Sequence, residues 1–146
     1  MGQQQLLLLV LSTVIVGLAT VAGIQAFDEG QSQAANDALT QRAVSIASDI
    51  QGQINKPSQL GGLPEPGGDY SSTSATDVAN AIGLESETDI QADGAGDNAS
   101  CEISINGSSE PAVQCAGGNA ETSVTATVTG TTTDDISTSF GSVDSL

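Results

Sequence analysis

Residues 1–54 read MGQQQLLLLVLSTVIVGLATVAGIQAFDEGQSQAANDALTQRAVSIASDIQGQI, and this stretch decides the fold. It holds two patterns joined near residue 28. From Leu6 to Ile24 the chain is almost continuously apolar, interrupted only by Ser12, Thr13 and Thr20. From Ala35 the apolar residues thin to Ala35, Leu39, Ala43, Ile46, Ile50 and Ile54, spaced by three and four as on one side of a helix. Both patterns predict helix, the first apolar all round and the second amphipathic. Gly30 is a soft spot rather than a break, and Asn55-Lys56-Pro57 ends the run, because the residue before proline resists helical angles. One helix over 1–54 follows, about 80 Å long at about 1.5 Å per residue.

Charge divides at the same place. Met1 to Phe27 contains no charged side chain, and all 18 acids of the 146-residue chain lie between Asp28 and Asp144. Arg42 and Lys56 are the only bases and histidine is absent, for a net charge of −16. Binding a phosphate backbone needs clustered Lys and Arg, so no nucleic-acid partner is expected. Such acidity suits a high-salt medium, where repulsion is screened within a few Å, or a solvated surface that resists nonspecific association.

The apolar start admits several readings. A cleaved secretory signal wants a basic n-region and a shorter apolar core, whereas the segment here opens GQQQ. N-myristoylation wants Ser or Thr where Leu6 stands. A single-pass anchor is normally oriented by flanking Lys or Arg, and neither flank has one. The fourth reading places Met1 directly after a basic leader that has been removed, leaving the apolar segment permanently in the mature chain.

Under that reading MGQQQLLLLVLSTVIVGLATVAGIQAF resembles the mature N-terminus of a type IV pilin, over roughly residues 1–54 and most closely over 1–27. The resemblance implies cleavage after a glycine by a prepilin peptidase, a membrane-inserted pool in the inner membrane, and assembly of identical subunits by dedicated pilus machinery. The product is an extracellular filament bundled through N-terminal rods. The residues implied in assembly are Met1, Gln5, Leu6, Leu7, Leu8, Leu9, Val10, Leu11, Val14, Ile15, Gly17 and Gly23. The family usually carries glutamate at position five, thought to pair with a neighbour's N-terminal amine. Gln5 can accept a hydrogen bond there but supplies no charge. Many members also have a proline near position 22, where this chain has Ala22-Gly23. A minor pilin, a secretion pseudopilin and an archaeal-type pilin are alternatives within the same superfamily. A single-pass anchored surface protein that binds a ligand through its head is an alternative outside it.

Residues 55–146 are expected to form an acidic, β-rich head. PSQLGGLPEPGGDYSS (57–72) is a turn-rich connection, from which Tyr70 is expected to cover the edge of a small core. SATDVANAIGLE reads as a short helix capped by Ser74 or Thr76, with Val78, Ala79 and Ile82 on one side and Gly83 at its end. ETDIQA, CEISIN, PAVQC, TSVTATVTG and DISTSF alternate as short strands, and NGSS (106–109) suits a hairpin turn. The fold class is therefore α+β: a long N-terminal helix with a small C-terminal antiparallel sheet laid on its Leu39–Ile54 side.

Cys101 and Cys115 flank the CEISIN–PAVQC hairpin. We expect a disulfide between them, since an apolar start implies export to oxidising surroundings; the alternative is two reduced, buried thiols. Asn98-Ala99-Ser100 and Asn106-Gly107-Ser108 are sequons that accept N-linked sugar only where the machinery exists. Catalytic signals are missing: no histidine, no C-x-x-C, no G-x-S-x-G elbow and no phosphate-binding G-x-x-x-x-G-K-[ST] loop. DGAGDN (93–98) offers oxygen ligands but lacks EF-hand spacing, and reads better as a turn. We expect no enzyme, no cofactor and no metal site.

Overall fold

A computed structural model describes residues 2–142. Its frame is one unbroken helix, α1, from Gly2 to Ile54, 53 residues long. The helix passes through Gly17, Gly23 and Gly30 without interruption and stops at Asn55, as the proline at 57 requires.

The head is built on the second half of α1. After a short 3-10 turn at Ser58–Leu60 comes α2 (Ala75–Ala81), then five strands: β1 (Ile90–Gln91), β2 (Ser100–Ile105), β3 (Pro111–Ala116), β4 (Thr122–Val128) and β5 (Ile136–Ser142). The strands form one antiparallel sheet in the order β1-β2-β3-β4-β5, so each strand pairs with its sequence neighbour. The α+β layout expected from the sequence is the one observed.

Register explains the core. Cys101 lies opposite Cys115, which lies opposite Val124; Ile103 lies opposite Val113, which lies opposite Ala126. Residues directly opposite share a face, and all of these are buried. That face meets Ala35, Leu39, Ala43, Ile46, Ala47, Ile50 and Ile54 of α1. Three alanines in the helix seam leave room for the sheet to approach closely. The opposite face carries Glu102, Gln114 and Thr125 in one cross-strand row, as suits a sheet with one wet side.

Polar contacts tie the loops to this frame. The Gln51 side chain is buried, and its Nε2 donates to the carbonyls of Gly130 and Thr132 at 3.1 and 2.6 Å. Asn55 Nδ2 donates to the carbonyl of Thr131 at 3.3 Å. These two amides hold the β4–β5 connection against the end of α1. Tyr70 is buried at the core edge, as expected, and its hydroxyl donates to the Pro64 carbonyl at 2.8 Å. Ser74, rather than Thr76, caps α2. Its hydroxyl accepts from the Asp77 N–H, while the Asp77 carboxylate accepts from the Ser74 N–H at 2.8 Å.

Two local expectations need correction. The ETDIQA strand shortens to Ile90–Gln91, since Asp89 takes a left-handed φ of 63° and turns the chain just before it. The hairpin turn expected at NGSS (106–109) does join β2 to β3, with Ser109 at positive φ (60°). Asn106 organises that loop: its Oδ1 accepts from the N–H groups of Ser108 and Glu110, both at 2.9 Å. Lastly, not every polar residue of the amphipathic half lies outside, as Gln51 shows.

Two outcomes follow. Gln51→Ala removes two amide hydrogen bonds, to the carbonyls of Gly130 and Thr132, and should lower head stability by about 1–3 kcal/mol, read by urea unfolding through the single tyrosine, Tyr70. The Asp77 carboxyl is held below its ordinary value of 3.8 by the Ser74 N–H and hydroxyl. A depressed folded pKa gives stability that is present above the unfolded value and lost as pH falls through the folded one. The deficit of Asp77→Asn relative to the parent chain should therefore be full near neutral pH and shrink below about pH 4, as measured by parallel unfolding curves.

Candidate assembly surface

The first half of α1 is not covered by the other described residues. Every described residue from Gly2 to Gln31 is exposed, including thirteen large apolar side chains between Leu6 and Phe27. Gln5, Leu6, Leu7, Leu8, Leu9, Val10, Leu11, Val14, Ile15, Gly17 and Gly23 all lie on this bare rod, at different azimuths. Met1 lies outside the described residues. An 18-residue window of the helix has a mean hydropathy of 2.5 and no buried residue. α1 is long and apolar enough to cross a membrane, a test that a signal sequence also passes.

The three hydroxyls between Leu6 and Ile24 are satisfied from within. Ser12 Oγ donates to the Leu9 carbonyl and Thr13 Oγ1 to the Val10 carbonyl, both at 2.9 Å. Thr20 Oγ1 reaches the carbonyls of Val16 and Gly17 at 2.8 and 2.9 Å. An apolar medium tolerates only backbone and side-chain polar groups that find partners, and these hydroxyls bring their own. Between Leu6 and Ile24 nothing requires water.

Gly17 and Gly23 face open space, with no atom near where a Cβ would stand. Val16, Ala19, Thr20, Gly23, Ile24 and Phe27 border an open apolar groove along the rod. Small residues at such a place let a second helix come close. Transfer of one large aliphatic side chain out of water contributes about 1.5–3 kcal/mol. Thirteen of them, already partly screened by their own helix, supply on the order of 20 kcal/mol for leaving water.

On the head, Cys101 and Cys115 form the expected disulfide. They sit directly opposite on β2 and β3 and are both buried. Asn98 and Asn106 are both exposed. The Asn106 amide is committed to its turn, with Nδ2 donating to Glu110 at 2.8 Å, whereas Asn98 stands at a positive φ of 60° in the β1–β2 loop. Asp89, Asp93 and Asp97 border an open polar depression in that region. Among the described residues, no three His, Cys, Asp or Glu side chains gather as a metal site.

Comparison with protein-family models, with curated proteins and with solved structures gives no significant match. The chemistry of the chain must therefore be argued from the geometry above.

Sequence reasoning found the rod and the cysteines but missed Gln51 and Ala47 as parts of the head interior. Ala47 follows Ala43 by four residues and precedes Ile50 by three, so the signal was present. Gln51 has no residue-type signal, because its burial depends on a loop about 80 positions away.

Removing the bridge with Cys101→Ala and Cys115→Ala should cost the head about 2–4 kcal/mol. Urea titration in detergent, followed by Tyr70 fluorescence, checks this; reducing the parent protein should shift its midpoint in the same direction.

Proposed function

We propose that this chain is the structural subunit of an extracellular type IV pilus-like filament, assembling through the apolar half of α1. The observation that supports this reading best is the helix with two surroundings. Its Leu6–Ile24 stretch is exposed on every side with its three hydroxyls bonded to its own carbonyls, and its Ala35–Ile54 half is the spine of the head. A bundle of rods inside a coat of heads suits both halves, as does a rod in lipid with its head in water.

In this reading the membrane is the reservoir. Lipid already solvates Leu, Ile and Val, so the filament competes through close packing rather than through escape from water. Gly17, Gly23 and the groove beside Phe27 favour that packing. The acidic heads form the outer coat, and the chain performs no catalysis.

The single-pass anchored binding protein is the reading from a different class. The membrane-crossing length of α1 favours it equally. The head does not help it, since the depressions bordered by its own residues are open and shallow in character, with acidic or mixed linings.

Electron microscopy of the sheared surface fraction of the source cells, with mass spectrometry of its components, tests the proposal. Thin filaments made mainly of this chain are expected. A chain that stays with the membrane while no filament contains it would sink the filament reading and leave the anchor. Leu11→Lys adds a second arm: a lysine at the centre of a spanning helix costs about 3 kcal/mol. Filaments should be lost while the head, remote from Leu11, unfolds at the same urea concentration.

A further inference from the structure

The sheet is wider than the helix that covers it. On β4, Val124, Ala126 and Val128 are fully buried. Their direct partners on β5 are Phe140, Thr138 and Ile136. Directly opposed residues point to the same side, so these three look toward the helix layer. Yet Phe140 is 63% exposed, Thr138 is exposed and Ile136 only half-buried. α1 covers β3 and β4 and leaves the matching strip of β5 open. Outside the rod, Phe140 and Leu60 are the only large apolar side chains exposed to this degree among the described residues.

The direction of β5 gives the strip its place. Thr122 Oγ1 donates to Asn36 Oδ1 at 3.0 Å, which sets the start of β4 beside Asn36. The loop beyond the other end of β4 meets Gln51. β4 therefore runs along α1 away from the rod, and antiparallel β5 runs back toward it. Ser142 lies opposite Thr122, so Phe140 stands at the end of the sheet nearest the bare rod. At about 100° per residue, Thr40 and Val44 fall on the same flank of α1 as Gln51. With Asp37, Gln41 and Ser45 they border an open depression on that flank, a trough that neighbours the β5 strip.

The trough has Asp37 on its helix side and no charge on its sheet side. Ile136–Ser142 contains no charged residue in a chain of net charge −16. β5 pairs only with β4 among the described residues, and it carries no proline or lysine of the kind that blunts an edge strand. The acidic surface of a second head would bring carboxylates toward Asp134 and Asp135 at the start of this strip. The uncharged rod brings none, and it offers aliphatic side chains on every azimuth.

We propose that the β5 trough centred on Phe140 receives the apolar rod of a second copy of this chain. The inference rests on the filament reading and deepens it: a rod is gripped by a neighbour's head as well as by neighbouring rods. Phe140 lies over that rod in the position α1 holds over Val124 within its own subunit.

Photo-crosslinking in the full-length chain tests it, with benzoylphenylalanine replacing Phe140 in one sample and Ile15 in another. Assembled material is irradiated and the adducts are mapped by mass spectrometry. Adducts from position 140 to residues 2–27 of another copy are expected. If position 15 joins rod to rod while position 140 reaches only another head, only lipid or nothing, the trough proposal falls and the filament reading stands. If neither position joins two copies, both fall. Phe140→Ser gives an independent readout. It should raise the concentration needed for assembly about tenfold with the urea midpoint of the head unchanged, and Leu60→Ser should alter neither. Equal assembly by Phe140→Ser and the parent chain overturns the inference.

Discussion

A single hydrogen-bonded ladder from Gly2 to Ile54 serves two different surroundings, and the rest of the structure depends on it. Only a helix satisfies its backbone within one segment, so only a helix can leave water without a partner strand. The rod uses that property, and the three hydroxyls within it fold back onto its own carbonyls. The head uses the same helix as a preformed wall. A sheet of short strands gains little stability alone, but seven buried apolar residues of α1 give it a core. The join near residue 28 is therefore a change of solvent rather than a change of structure.

The head is held by several modest devices because its core is thin. Alanines supply much of the helix seam, so burial brings close approach but little area per residue. The Cys101–Cys115 bridge fastens β2 to β3 in the middle of the sheet. Gln51 and Asn55 fasten the β4–β5 connection to the last turns of α1. Gly67 N–H donates to the Ser109 carbonyl at 3.0 Å and brings the proline-rich connection against the β2–β3 turn. The three fastenings act at different places, so the sheet is tied at its centre and at both turns.

Legibility in the sequence followed the range of the interactions. α1 was readable because its two periodicities depend on residues three and four apart, and β2 to β4 because alternation such as Val124/Ala126/Val128 has period two. The end of α1 was readable from Pro57. The length of β1, the positive φ of Ser109 and the burial of Gln51 were not. Each is set by what another part of the chain places beside it, and no local pattern carries that. The rod showed plainly as apolar, whereas its complete lack of cover within the subunit required the fold. Phe140 is the sharpest case. In sequence DISTSF reads as an ordinary strand, and only its register against the fully buried Val124 shows that Phe140 belongs to the face that packs on α1 while itself standing exposed.

Electrostatics limits how copies of this chain can meet. The heads carry every charge, with few bases to offset the acids, and Arg42 directs its Nε to the Gln91 carbonyl at 3.2 Å. Head-to-head approach is therefore repulsive over a Debye length, about 10 Å at 0.1 M salt and about 3 Å at 1 M. The uncharged surfaces are the rod from Gly2 to Phe27 and the strip of β5, which runs back toward the rod. An arrangement that packs rods with rods and rods with β5 turns those surfaces inward and lets the carboxylates diverge outward into solvent. Salt then acts on the lateral spacing of heads, while the apolar contacts set which residues meet. The same charge distribution that opposes contact between heads leaves the uncharged parts as the surfaces best suited to association.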